Sequence, residues 1–457
     1  LKPEKRVATD VQETLARILE GRPALRRIAE APTLREHLDS GLAWNPPTGV
    51  FPHRDALADV IVGEITRLHG GCAGQRTRDA LAASWVVETG AHLNLPRRFD
   101  RAAVKDGPQA NPLVFQGQTL WVAATVSRGL PAAISLSSGR VPVNNANSGC
   151  YLDYAPQAEP IRLASNRYKE TPQSLVPALP ESKWNEVRRR ANGSAVAEAI
   201  LAAMTKPAVR FADQIVRGHA AFMSLVLPAE VRHVTVDSER VGAEFLRELF
   251  HDETSLLFRV FSDAERTNRF IAEFADLDTG WKESQTPFNR LEPDRDPPKF
   301  AEYDGALDPA CAREGLASGD LFAKGPLKFF AFMVEGGLCP IGGMFQSGYC
   351  TRIRDLAARL LRDMGHEARA QTLATMPTEI AVVTPVWGVS EANDTLANAL
   401  DLVERPLTRA DLKEIGGVSG RSALALATPT LAQLLLGERM DISHTTLARS
   451  LGDALVI

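Results

Sequence analysis

The chain has 457 residues, 44% of them hydrophobic and 24% charged, and a formal net charge of −4. That length exceeds one small core, so two or three lobes sharing an interface are expected. The charge balance gives no nucleic-acid footprint, and no apolar run reaches the ~20 residues of a membrane span. The opening Leu1-Lys2-Pro3-Glu4-Lys5-Arg6 is charged and has no apolar h-region, so a signal peptide is not expected and a cytoplasmic protein is. Five cysteines (Cys72, Cys150, Cys311, Cys339 and Cys350) are odd in number and widely spread, which suits reduced thiols rather than a disulfide framework or a paired zinc site.

The first eighty residues read as helices. Val11, Leu15, Ile18 and Leu19 share one stripe, and Leu57, Val60, Ile61 and Ile65 lie on a helix that Gly70-Gly71 closes. From Ser84 the pattern changes to short apolar runs: Trp85–Val87, Thr119–Val126 and Ala132–Leu136. Such runs predict strands buried on both faces. Residues 151–180 carry five prolines and predict a long connection. Helices are expected at 184–204 and 209–222, strands at 224–227 and 233–236, and a helix capped by Ser238. Leu256–Phe261 repeats the strand theme, and a capping box at 262–265 opens the next helix. Residues 285–299 suit a lid or linker. An apolar run at Leu327–Glu335 reads as a strand entering a glycine-rich loop, with a helix from Thr351. Glu379–Val386 predicts another strand, and Ser390 a helix through Leu402. The expectation is an α/β fold: a mixed sheet flanked by helices with an N-terminal helical subdomain. Its expected divisions are a helical subdomain (1–80), an α/β core lobe (81–300) and a second α/β lobe with the glycine-rich loop (301–457).

Three segments carry groups suited to a polar ligand. In the first, Glu88 to Pro96 follows a predicted strand, and His92 is the best-placed acid–base group, with Glu88 and Asn94 beside it. In the second, Ser137, Ser138, Arg140, Asn144 and Asn145 bring hydroxyls, amides and one planar cation to another strand end. In the third, Gly336, Gly337, Gly342 and Gly343 can bring backbone close to a ligand, with Gln346 and Tyr349 at the following helix. Each has a plainer account: close-packed glycines, a histidine fixing a turn, asparagines bonded to their own backbone. Cys339 sits within the glycine segment, where a helix N-terminus would lower a thiol pKa. The nine histidines show no metal-binding spacing, and neither a Walker, a G-x-G-x-x-G nor a G-x-S-x-G motif is present.

These features lead to the expectation of an enzyme acting on a small polar, anionic metabolite by group transfer or C–N bond formation. His92 would exchange protons, Arg140 would clamp an anionic group and the glycine loop would hold a second one. A hydrolase of a small polar substrate and a non-catalytic binding or regulatory protein share the same parts. The sequence names no cofactor, and it leaves open whether the N-terminal helices wall the site or form a homodimer contact.

Overall fold

The structure is a computed structural model that describes residues 3–90, 95, 110–137, 151–152, 154, 161–163, 171, 175–275, 286–292, 296–303 and 305–457. The N-terminal region is helical: α1 (Pro3–Leu19), α2 (Pro23–Glu30), α3 (Leu34–Leu42), α4 (Arg54–His69) and α5 (Gly71–Ala83). Thr33 caps α3 by accepting from the Glu36 amide. Their apolar stripes are docked. Leu25, Ile28, Leu34, Leu38, Leu57 and Ile61 are fully buried in the common core.

Strand β1 (Val86–Glu88) then enters the main sheet, α6 (Ala110–Ser127) leads to β2 (Ala133–Ser137), and α7 (Glu181–Arg190), α8 (Ala195–Met204) and α9 (Phe211–Val226) lead to β3 (His233–Asp237). Next come α10 (Ser238–Leu249), α11 (Leu256–Phe261), α12 (Ala264–Ala275), α13 (Pro309–Ser318) and α14 (Gly325–Phe330). The chain returns to the sheet as β4 (Cys339–Gly343), continues as α15 (Met344–Asp363) and α16 (Glu367–Ala374), and completes the sheet with β5 (Ala381–Val383).

The five strands lie in the order β5-β4-β1-β2-β3 and every neighbouring pair is parallel. Residues 81–300 and 301–457 therefore contribute to one sheet. Winding starts at the centre, runs outward through β2 and β3, then crosses back to the other side of β1. This is the strand order of doubly wound α/β proteins, whose switch point lies between the first and fourth strands. All residues of β1, β2 and β3 are buried, as parallel strands covered on both faces require. A small antiparallel sheet (288–292, 299–302 and 321–323) occupies the stretch expected to be a lid or linker.

Several expected strands are helical. Thr119–Val126 is the second half of α6, whose residues Leu120 to Ala124 are all at most 4% exposed. Leu256–Phe261 is α11, and Ser224–Val226 ends α9. Leu327–Glu335 is α14 followed by a π-helical turn at Ala331–Glu335. A helix buried on every side has no polar stripe, so its sequence imitates a buried strand. The glycine-rich segment is corrected with it. Gly336-Gly337 is the turn into β4, β4 itself is Cys-Pro-Ile-Gly-Gly, and α15 begins at Met344 rather than Thr351. Gly388–Ser390 is a strand, and only a 3-10 turn at Ala399–Leu402 answers the helix expected from Ser390.

Candidate functional site at the carboxyl edge of the sheet

Parallel register brings the ends of the strands to one edge. Glu88 lies opposite Ile341 of β4 and Ser135 of β2, and Ser137 lies opposite Asp237 of β3. The candidate segments beginning at Glu88 and Ser137 thus leave the sheet at the same edge as Gly342-Gly343.

At the switch point the chains are tightly joined. The Thr89 amide donates to the Ile341 carbonyl at 2.7 Å, and the Thr89 hydroxyl donates to the same oxygen at 3.2 Å. From the first turn of α15, Gln346 donates its amide to the Thr89 hydroxyl. A side chain at Gly342 would meet the Gln346 amide, and one at Gly90 would meet the Gly342 backbone at 2.9 Å. Both glycines therefore serve the close approach of neighbouring protein atoms. Gly343 differs: a Cβ there would meet only the Val383 carbonyl, at 3.5 Å. It is the N-cap of a 20-residue helix and supplies no side-chain cap. The amides of that first turn are a place for negative charge.

Side chains alternate along a strand, so Glu88, Ser135, Ser137, His233, Thr235 and Asp237 share one face. Polar groups are unusual on a buried parallel sheet. Ser135 Oγ pairs with His233 Nε2 at 2.9 Å, and the His219 ring meets His233 edge-on at 5.9 Å. Burial pushes His233 down to about 3, which keeps it neutral. His69 donates from Nε2 to the Thr235 carbonyl at 2.9 Å. Ser137 Oγ, Thr235 Oγ1 and His233 Nδ1 are buried with no hydrogen-bond partner among the described residues.

Asp237 closes the edge at β3. It accepts from the Glu239 amide at 2.9 Å, capping α10, and Arg210 Nη1 approaches it at 3.4 Å. Burial pushes its carboxyl up to about 6 against the pull of Arg210. Arg210 also holds Asp213 at 2.6 Å, and Arg67 bridges Asp213 to Glu64. Arg240 binds Glu64 at 3.0 Å. The sequence reading missed Asp237 and Arg210, taking Ser238 as the cap. The signal was an acidic residue ending an apolar strand.

Of the expected site residues, Glu88, Ser137, Gly342, Gly343 and Gln346 meet at this edge. Gly336 and Gly337 lie at the opposite end of β4, about 15 Å away at about 3.3 Å per residue. There they accept from the indoles of Trp85 (2.7 Å) and Trp44 (3.0 Å). Gly337 has φ +69, and a Cβ on it would strike Phe51. Cys339 shares that end. It is fully buried, and burial alone drives its thiol pKa up, the reverse of an activated thiolate. Tyr349 packs its ring on Phe329 at 5.4 Å, further along α15. His92, Asn94, Ser138, Arg140, Asn144 and Asn145 lie outside the described residues.

A cleft of about 590 Å³ lies elsewhere, lined by Leu402, Arg405, Asp411, Gly452, Asp453 and neighbours. It shares no residue with the strand tips and contains no buried unpartnered group. Ser137, a buried hydroxyl with no hydrogen-bond partner among the described residues, ends β2 at the sheet edge, and no such group lines that cleft. Among the described residues no helix is long and apolar enough to cross a membrane, and no group of three acidic, histidine or cysteine side chains is placed to hold a metal. No known protein family matches the chain, and no curated protein is significantly similar to it. Fold and edge together define a doubly wound α/β protein with a polar carboxyl edge.

Proposed function

We propose that the protein is an enzyme that binds a small polar metabolite at the carboxyl edge of the sheet, beside the β1/β4 switch point. One observation supports this reading: the winding direction reverses between β1 and β4, where Glu88 lies opposite Ile341 and Thr89 bonds to the Ile341 carbonyl. Doubly wound proteins bind their ligands in that crevice. The uncapped start of α15 suits an anionic group of the substrate. Glu88 lies fully buried at the strand end; in this proposal it exchanges protons, in a reaction of the group-transfer or C–N bond-forming class. His92 follows Glu88 by four residues and Arg140 follows Ser137 by three. They complete the proposal as a second proton-transfer group and an anion clamp.

Mass spectrometry of small molecules released from the purified protein tests this reading. A stoichiometric polar metabolite bearing a phosphate or carboxylate supports it. A purely apolar ligand would contradict it.

A further inference from the structure

The tips of β2 and β3 carry chemistry that an anion does not explain. Ser137 Oγ is buried with no partner among the described residues, and it lies opposite Asp237 on the same face. Adjacent strands are about 4.8 Å apart, so one small group can touch both side chains. The surroundings disfavour a second anion. Asp237, Asp213 and Glu64 cluster there, and Arg210 is already engaged by all three, at 3.4, 2.6 and 3.8 Å. The long contact to Arg210 leaves Asp237 the weakest-paired carboxylate of the set.

We infer that Ser137 and Asp237 form a subsite for a primary ammonium group of the substrate, with Arg210 positioning the Asp237 carboxylate. It rests on the ligand site proposed above and deepens it, since the ammonium, once it has given a proton to a base such as the proposed Glu88, is the amine nucleophile that C–N bond formation needs. An ammonium carries three N–H donors and one positive charge. Ser137 Oγ accepts one donor and Asp237 another, which satisfies the buried hydroxyl and gives the carboxylate a closer cation. The charged groups around Asp237 are Arg210 and Asp213 at the start of α9, Glu64 and Arg67 on α4, Glu239 and Arg240 on α10, and Lys328 on α14. Lys328 is occupied by Glu239. Because burial holds the Asp237 carboxyl near 6, ammonium binding tightens as pH rises from 5 to 7.

Ligand-observed NMR titrations of the full chain with n-propylammonium, n-propanol and inorganic pyrophosphate test this at pH 5 and pH 7. The expected result is propylammonium binding at least tenfold tighter than propanol, and about tenfold tighter at pH 7 than at pH 5. Asp237→Asn keeps a helix-capping side chain and so keeps the fold. It should weaken propylammonium about tenfold and remove the pH dependence, and Ser137→Ala should weaken it several-fold, with pyrophosphate unaffected by either. Propylammonium that binds no better than propanol, or equally well to Asp237→Asn, overturns the subsite. If pyrophosphate alone binds, the subsite falls and the anion-binding edge stands. If neither binds, both fall.

Discussion

The amide of Gln346, on the first turn of α15, donates to the hydroxyl of Thr89, the residue that follows β1. This bond joins the two strands between which the winding direction reverses, and it passes over Gly342, whose missing side chain makes room for it. The switch point is therefore a close-packed joint as well as a candidate binding edge.

Two glycines at this joint should respond in opposite ways. Gly90→Ala sets a Cβ 2.9 Å from the Gly342 backbone and 2.9 Å from Val383, so it should cost about 1–3 kcal/mol through overpacking. Gly343→Ala meets nothing closer than 3.5 Å and should leave stability within about 0.5 kcal/mol. Urea denaturation of both variants checks the contrast. Equal losses would mean that the joint is looser than its geometry.

A buried ion network ties the start of α4 to the π-helical turn, α11 and α16. Glu335 accepts from His53 Nδ1 at 3.2 Å, from the Leu257 amide at 3.0 Å and from Arg369 at 2.7 Å, while His53 Nε2 reaches Asp252 at 3.0 Å. Burial pushes the Glu335 carboxyl up, but the His53 hydrogen bond and the Arg369 charge outweigh it and hold it at about 2. Its contribution is full above the unfolded value of about 4.3 and is lost as pH falls toward 2. Burial lowers His53, but Glu335 and then Asp252 raise it above its ordinary value. That contribution is full below about 6.5 and is lost as pH rises through the raised value. The network is therefore strongest between about pH 4.5 and 6.5. Glu335→Gln should cost about 3–5 kcal/mol, because it strands a buried arginine, and should flatten the acid limb of thermal stability against pH. An unchanged acid limb would contradict the assignment.

How much of this was legible in the sequence follows from burial. β2 and β3 stood out as β-rich runs between turn residues, and β1 did so at Trp85–Val87. α6 and α14 did not, because a helix buried on every side shows no 3.6-residue stripe. Gly336-Gly337 and Gly342-Gly343 read as one loop because the four residues between them, Leu338 to Ile341, are too few to stand out as a strand and include a proline. Only the parallel register, a long-range property, separates the two pairs and puts Glu88, Ser137 and Asp237 on one face toward the same end of the sheet. Arg210 and Asp237 are 27 residues apart and meet only because α9 starts at the carboxyl edge.

Thr235→Val removes a hydroxyl that is fully buried and has no partner among the described residues, and it keeps the side-chain shape. Exchanging an unsatisfied polar group for an apolar isostere should be neutral or stabilising. Thermal unfolding reads this directly. A loss above about 1 kcal/mol would reveal a bound water or an unseen partner.

Glu88→Gln preserves shape and removes the carboxylate proposed to exchange protons. Once a substrate is in hand, turnover should fall about 10²–10⁴-fold with binding nearly unchanged. A variant that is folded and fully active would remove Glu88 from the chemistry and leave it a structural acid.

The central claim is that the ligand sits at the carboxyl edge of the sheet, and hydrogen exchange tests it most directly. The full chain is compared with and without the small molecule recovered from the purified protein. Protection should appear at residues 86–90, 133–137 and 341–347, with none at Gly336-Gly337 and none in the cleft lined by Leu402 and Asp453. Protection confined to that cleft or to the Gly336-Gly337 end, with the strand tips exchanging as before, would contradict the account.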